Sequence, residues 1–91
     1  MSHEIVVKHL SDAEIQELQI NSWPIWEKEV SSFPWSYAAT ESCLIIEGEV
    51  TVTPEFGQPV EIKAGDFAVF PKGMNCHWNI TKDIRKHYSF S

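Results

Sequence analysis

Apolar residues in this chain recur mostly at every second position, the period of a half-buried strand. Ile5 and Val7 stand apart from Val6 within residues 4–9, so this stretch reads as a short strand. Ser11-Asp12-Ala13-Glu14 then has the form of a capping box. Ile15 and Leu18 follow three apart, which predicts one short helix over residues 12–19. From Asn21 onward the pattern is strand and turn. Trp23-Pro24-Ile25-Trp26 leads into a strand over residues 27–30, with Pro24 placing it at a sheet edge or a strand start. Residues 35–38, 41–47 and 49–53 read as strands, Gly48 joining the last two. Pro54-Glu55-Phe56-Gly57 is a hairpin turn. Residues 60–63, 67–70, 75–80 and 84–90 complete the set, with a tight turn at Ala64-Gly65-Asp66. Many short strands with regular turn signals predict an all-β barrel or sandwich. Residues 1–3 read as a loose end.

Length and composition narrow the choice. Ninety-one residues make one domain, residues 1–91, with its core over about residues 22–90. Four Trp let a small core bury much apolar area with few side chains. The net charge is −6, and the seven Lys and Arg are scattered, so neither nucleic acid nor an anionic membrane is an expected partner. No secretory signal pattern is visible, which places the expected location in the cytoplasm with Cys43 and Cys76 reduced. There is no glycine-rich phosphate loop, no Ser-His-Asp arrangement and no zinc-type cysteine spacing.

The most specific segment is Gly65-Asp66-Phe67-Ala68-Val69-Phe70-Pro71-Lys72-Gly73. Its glycines permit positive φ, and Pro71 fixes the exit from a buried strand. It resembles the second conserved motif of the cupin superfamily. Upstream, Glu41 and, seven positions on, Gly48 resemble the end of the first. Trp26-Glu27, Trp78 and Arg85-Lys86-His87-Tyr88 add a resemblance to small cupins related to ureidoglycine aminohydrolase. The resemblance implies an all-β, small antiparallel cupin (jelly-roll) barrel with one short N-terminal helix. It also implies, for most metal-binding members, a divalent metal held by His-x-His, a Glu and a further His. At those positions this chain has Trp35, Tyr37, Glu41 and Cys76, so only the Glu is kept.

Strand alternation sorts the candidates by face. An inward Glu41 carries Cys43 and Ile45 with it. An inward Cys76 carries Trp78 and Ile80, and sends His77 and Asn79 outward. Ile84, Lys86, Tyr88 and Phe90 share one face, apolar or aromatic at three of four positions, which draws Lys86 into the barrel or its mouth. An inward Lys and an inward Glu are each costly unless paired, so Glu41 and Lys86 are the natural partners. Trp35, Tyr37, Glu41, Cys76, Trp78, Lys86 and Tyr88 thus form the expected pocket. Five of them also have a plainer reading: core or wall for Trp35 and Trp78, an inert thiol for Cys76, an internal partner for Glu41, a snorkelling head for Lys86.

The expected function is a small-molecule-binding cupin with no cofactor and no tightly held metal. One alternative is a metal-dependent enzyme related to ureidoglycine aminohydrolase. It would use Glu41, Cys76 and Tyr37 around a metal, or Glu41, Cys76 and His77 as the metal set if a one-residue bulge turned His77 inward. A structural or interaction module with a vestigial pocket is the other. His3, His9 and His87 read as surface or strand-end residues. The apolar run at residues 23–26 near an edge strand suggests a homodimer, with completion of the monomer core by Trp23 and Trp26 as the alternative.

Overall fold

The computed structural model describes residues 4–91; the expected loose end at residues 1–3, with His3, lies outside the described residues. Among the described residues, seven strands follow in the order β1 (Val6–Lys8), β2 (Ile25–Lys28), β3 (Ser31–Ser36), β4 (Glu41–Pro54), β5 (Val60–Lys63), β6 (Phe67–Phe70) and β7 (Asn75–Phe90). Among the described residues one α-helix, α1 (Asp12–Glu17), precedes β2. The sheet is antiparallel throughout.

Two long strands organise the barrel. β4 and β7 pair along almost their whole lengths, from Glu41 opposite Phe90 to Pro54 opposite Cys76. One half of this ribbon is flanked by β6 with β1 beyond it, and by β2. The other half is flanked by β5 and β3. The ribbon must therefore bend midway, and its register shifts around Ile45, Glu47 and Glu49 show where. Gly48 is the hinge of this bend. It sits at φ +97, and a Cβ there would lie 2.3 Å from the Asp83 carbonyl oxygen. The backbone of β7 approaches too closely for any side chain, so the residue that the sequence reads as a joint between two strands is a bulge within one. Gly65 and Gly73 also have positive φ, with open space around them.

The inner face follows the alternation. Cys43, Ile45, Val50, Val52, Ile62, Phe70, Trp78, Ile80 and Ile84 are buried in one core cluster. Helix α1 begins with the expected capping box: the Ser11 hydroxyl accepts from Glu14 N–H, and the Glu14 carboxylate accepts from Ser11 N–H. The helix buries none of its residues, however, and Leu18 is 48% exposed. Gln19 turns left-handed at φ 56 and ends it, and the residue that anchors this segment is Ile20, in a 3-10 turn (Ile20–Ser22).

Two further expectations are corrected. β3 starts at Ser31, four residues before the expected Trp35, and Tyr37 follows its end. Pro34 is tolerated because β3 pairs with β7 alone and so has a free edge. His87 is buried rather than superficial, its Nδ1 2.9 Å from the Trp23 carbonyl oxygen. His9 does lie at the surface, with its Nε2 3.2 Å from the Asp66 carboxylate.

Candidate functional site

The site grows from the inward faces of β4 and β7. Lys86 stands opposite Trp26 on one side and Ile45 on the other. Glu41, Cys43 and Ile45 form one inward row on β4. From this register the Lys86 side chain runs along the strand to the head of the row, and its Nζ donates to Glu41 Oε2 at 2.6 Å. Glu41 is 3% and Lys86 5% exposed. The ammonium also lies 4.5 Å from the Trp78 ring centroid and 4.8 Å from that of Trp26. Both indoles thus offer their faces to the charge, which adds electrostatic stabilisation where water is excluded. The two rings meet edge to face at 6.0 Å, and Phe33 stacks on Trp78 at 6.3 Å.

A cavity of about 180 Å³ opens above this pair. Glu41 and Lys86 form its polar floor; Trp26, Phe33, Trp35, Trp78, Tyr88 and Phe90 form its walls. Trp35 and Phe90 are 46% and 52% exposed, so they make the rim. The cavity combines apolar walls with a small number of convergent polar groups, the usual make-up of a ligand site. A wider hollow of about 1020 Å³ lies beside the turn after β4, but among the described residues its only buried lining residue is Met74, and none of them brings a buried polar group to it.

Five of the seven expected pocket residues are brought together: Trp35, Glu41, Trp78, Lys86 and Tyr88. Tyr37 and Cys76 are not. Tyr37 is buried behind the wall, its ring stacked on Phe70 at 5.0 Å and its hydroxyl accepting from Trp78 Nε1 at 3.1 Å. Burial holds its phenol far above the usual range. Cys76 packs under β3, its thiol 3.6 Å from the Trp35 carbonyl oxygen, and burial likewise raises its pKa. Three wall residues were not in the expected pocket set: Trp26, Phe33 and Phe90, of which Phe90 is placed on the inward face of its strand by alternation. Phe33 carried a usable signal, since 33 and 35 share a face once the strand is started at Ser31; Pro34 hid it.

The donor set does not fit the metal that cupin barrels commonly hold. The two His-x-His positions carry an exposed indole and a buried, protonated phenol. His77 faces outward and meets the Ser32 hydroxyl, in a stretch of β7 whose pairing with β3 and β4 runs without a bulge. Glu41, Cys76 and His77 therefore do not converge. The one remaining carboxylate is already neutralised by an ammonium.

Residues 15–88 match the family described as the EutQ-like cupin domain. The chain belongs to this family. It is 43% identical to a DUF861 family protein from Thermotoga maritima, whose crystal structure has a TM-score of 0.95 and is covered over 97% of this chain and 100% of that one. Over 63 residues it is 35% identical to acetate kinase EutQ of Escherichia coli (strain K12), covering 69% of this chain and 26% of that protein, so the chain spans about a quarter of that relative's length. An ethanolamine utilization protein Q from Salmonella typhimurium LT2, at 24% identity and a TM-score of 0.67, shares the fold; the match covers 97% of this chain and 69% of that one. This EutQ-like cupin is mostly β, antiparallel and of the jelly-roll type. Among the described residues, no helix is long and apolar enough to cross a membrane.

Proposed function

We propose that this EutQ-like cupin binds a small, ring-sized molecule in the aromatic mouth of its barrel, and does so without a metal. One observation carries the reading: the Lys86 ammonium, 2.6 Å from Glu41 and facing two indole rings, supplies the positive charge that a buried carboxylate needs. A buried carboxylate with its own counter-ion requires no cation from solution. The size follows from the cavity. An apolar cavity of roughly 150 Å³ is enough to hold a benzene ring, and this one is about 180 Å³.

A metal-dependent enzyme related to ureidoglycine aminohydrolase is the second reading. It would need at least two further ligands beside Glu41, and the neighbouring groups are indoles, a phenol and a thiol with raised pKa values or no acceptor at all. The acetate kinase activity named for the curated relative belongs to a protein of which this chain matches 26%. The pocket offers one lysine, already paired, and no cluster of basic groups for a nucleotide.

The test is ligand-induced stabilisation. A ligand at a hundred times its Kd raises stability by about 2.7 kcal/mol. A panel of single-ring compounds should include members that raise the melting temperature of the wild-type chain and fail to raise that of Trp35→Ala, whose indole sits on the rim and leaves the core intact. A panel with no effect, or one whose effect survives Trp35→Ala, would favour an interaction module with a vestigial pocket.

A further inference from the structure

The floor of the pocket restricts the chemistry of what enters it. Glu41 and Lys86 lie side by side, one presenting an acceptor and the other a donor, and their charges cancel. Among the described residues Glu41 is the only hydrogen-bond partner of Lys86 Nζ, which has three N–H groups to offer. Resting on the reading of this cavity as a small-molecule site, we propose that its ligand is an uncharged single-ring molecule carrying a hydrogen-bond acceptor and a donor on the same carbon. A ring-bound carboxamide is the simplest form.

The exclusion of charged ligands is an exchange argument. A ligand carboxylate would compete for Lys86, and to the extent that it won, Glu41 would be left charged and 3% exposed without its counter-ion. A ligand ammonium would do the reverse, drawing Glu41 away from Lys86. It would also find the Trp26 and Trp78 faces already turned to an internal cation. If neither partner is displaced, a charged ligand adds one net charge to a neutral, largely apolar space, which is costly. A carboxamide avoids both penalties. Its carbonyl accepts from a second Lys86 N–H, its N–H donates to the Glu41 carboxylate, and the ion pair stays closed. The ring then occupies the aromatic part of the cavity, whose volume of about 180 Å³ leaves room for little more than a ring and one polar group.

Benzamide, benzoate and benzylammonium are matched in size and differ in charge, so they make the test. Each is titrated into the full chain while the indole N–H signals of Trp26 and Trp78 are followed by NMR. Benzamide should move those signals and bind about tenfold or more tighter than either ion. An ion that binds at the same indoles as tightly as benzamide overturns the ligand class and leaves the pocket reading standing. If none of the three moves the indoles, the pocket reading fails and the class with it. Glu41→Gln supplies an independent check, because it frees the Lys86 charge: the order should invert in favour of benzoate. A folded Glu41→Gln that keeps the wild-type order contradicts the exchange argument. If this variant does not fold, the wild-type order still decides.

Discussion

Replacing Lys86 by Met removes the counter-ion of a carboxylate that is 3% exposed, while keeping most of the side-chain volume. The side chains of the pair are 6% and 4% exposed, which places it in the buried regime rather than among surface ion pairs. Breaking such a pair from one side costs about 3–5 kcal/mol, because the remaining charge stays buried. The two cation–π contacts are lost as well, and sulfur–aromatic contacts of the Met against Trp26 and Trp78 offset part of this. Glu41→Gln should cost less, since Lys86 keeps both indole faces and can donate to the amide oxygen. The double variant, Glu41→Gln with Lys86→Met, leaves no charge behind and should lose well under the sum of the two single losses, with a coupling of about 2 kcal/mol or more. A domain of this size has about 5–15 kcal/mol to lose, so urea unfolding at pH 7.5 can measure the whole cycle. Single variants that each cost about 1 kcal/mol or less, with no coupling, would show a solvent-screened pair and refute the reasoning.

Gly48→Ala should destabilise by about 3 kcal/mol or more in urea unfolding, since both the positive φ and the 2.3 Å approach to the Asp83 carbonyl oppose a Cβ; a loss below about 1 kcal/mol would mean that the bulge relaxes easily. Burial pushes the Cys43 thiol up from 9.0 to about 12. The folded state thus favours the protonated thiol, and its contribution is complete below about pH 9 and lost as pH climbs toward 12. This is at most on the order of 4 kcal/mol, and Cys43→Ala should flatten the alkaline part of the stability profile; an unchanged slope would contradict it. We also propose association into a homodimer along β2, an edge strand of the sheet that leaves Ile25 52% exposed. Solution scattering should give twice the monomer mass at high concentration, and a monomer mass would refute it. Trp26, at the end of that apolar run, packs against the core cluster and lines the pocket wall.

The parts of this structure that were legible in the sequence are those governed by a two-residue period. β5 and β6 fall where the pattern put them, and Glu41, Cys43, Ile45, Cys76, Trp78 and Ile80 all face inward as alternation requires. The Glu41 and Lys86 pairing followed from the same rule together with the cost of an unpaired buried charge. What remained hidden depends on tertiary position. Nothing local to Gly48 separates a turn between two strands from a bulge within one; the difference is the closeness of Asp83, far along the chain. Tyr37 and Cys76 share the inward face with the pocket residues, but other groups already occupy them, Trp78 in one case and the Trp35 carbonyl in the other. Alternation gives a side chain's direction and says nothing about what covers it. His87 was read as superficial because its strand-mates face inward; the segment that runs from α1 to β2 covers the other side of the sheet there, bringing the Trp23 carbonyl to its ring.

We propose that a barrel whose buried carboxylate is neutralised by Lys86 holds no metal, and elemental analysis of the chain purified without chelator tests this most directly. The expected result is no stoichiometric transition metal, with Glu41→Ala indistinguishable from wild type in metal content. About one equivalent of zinc or manganese, lost on Glu41→Ala, would contradict it and make the metal-dependent enzyme the better reading.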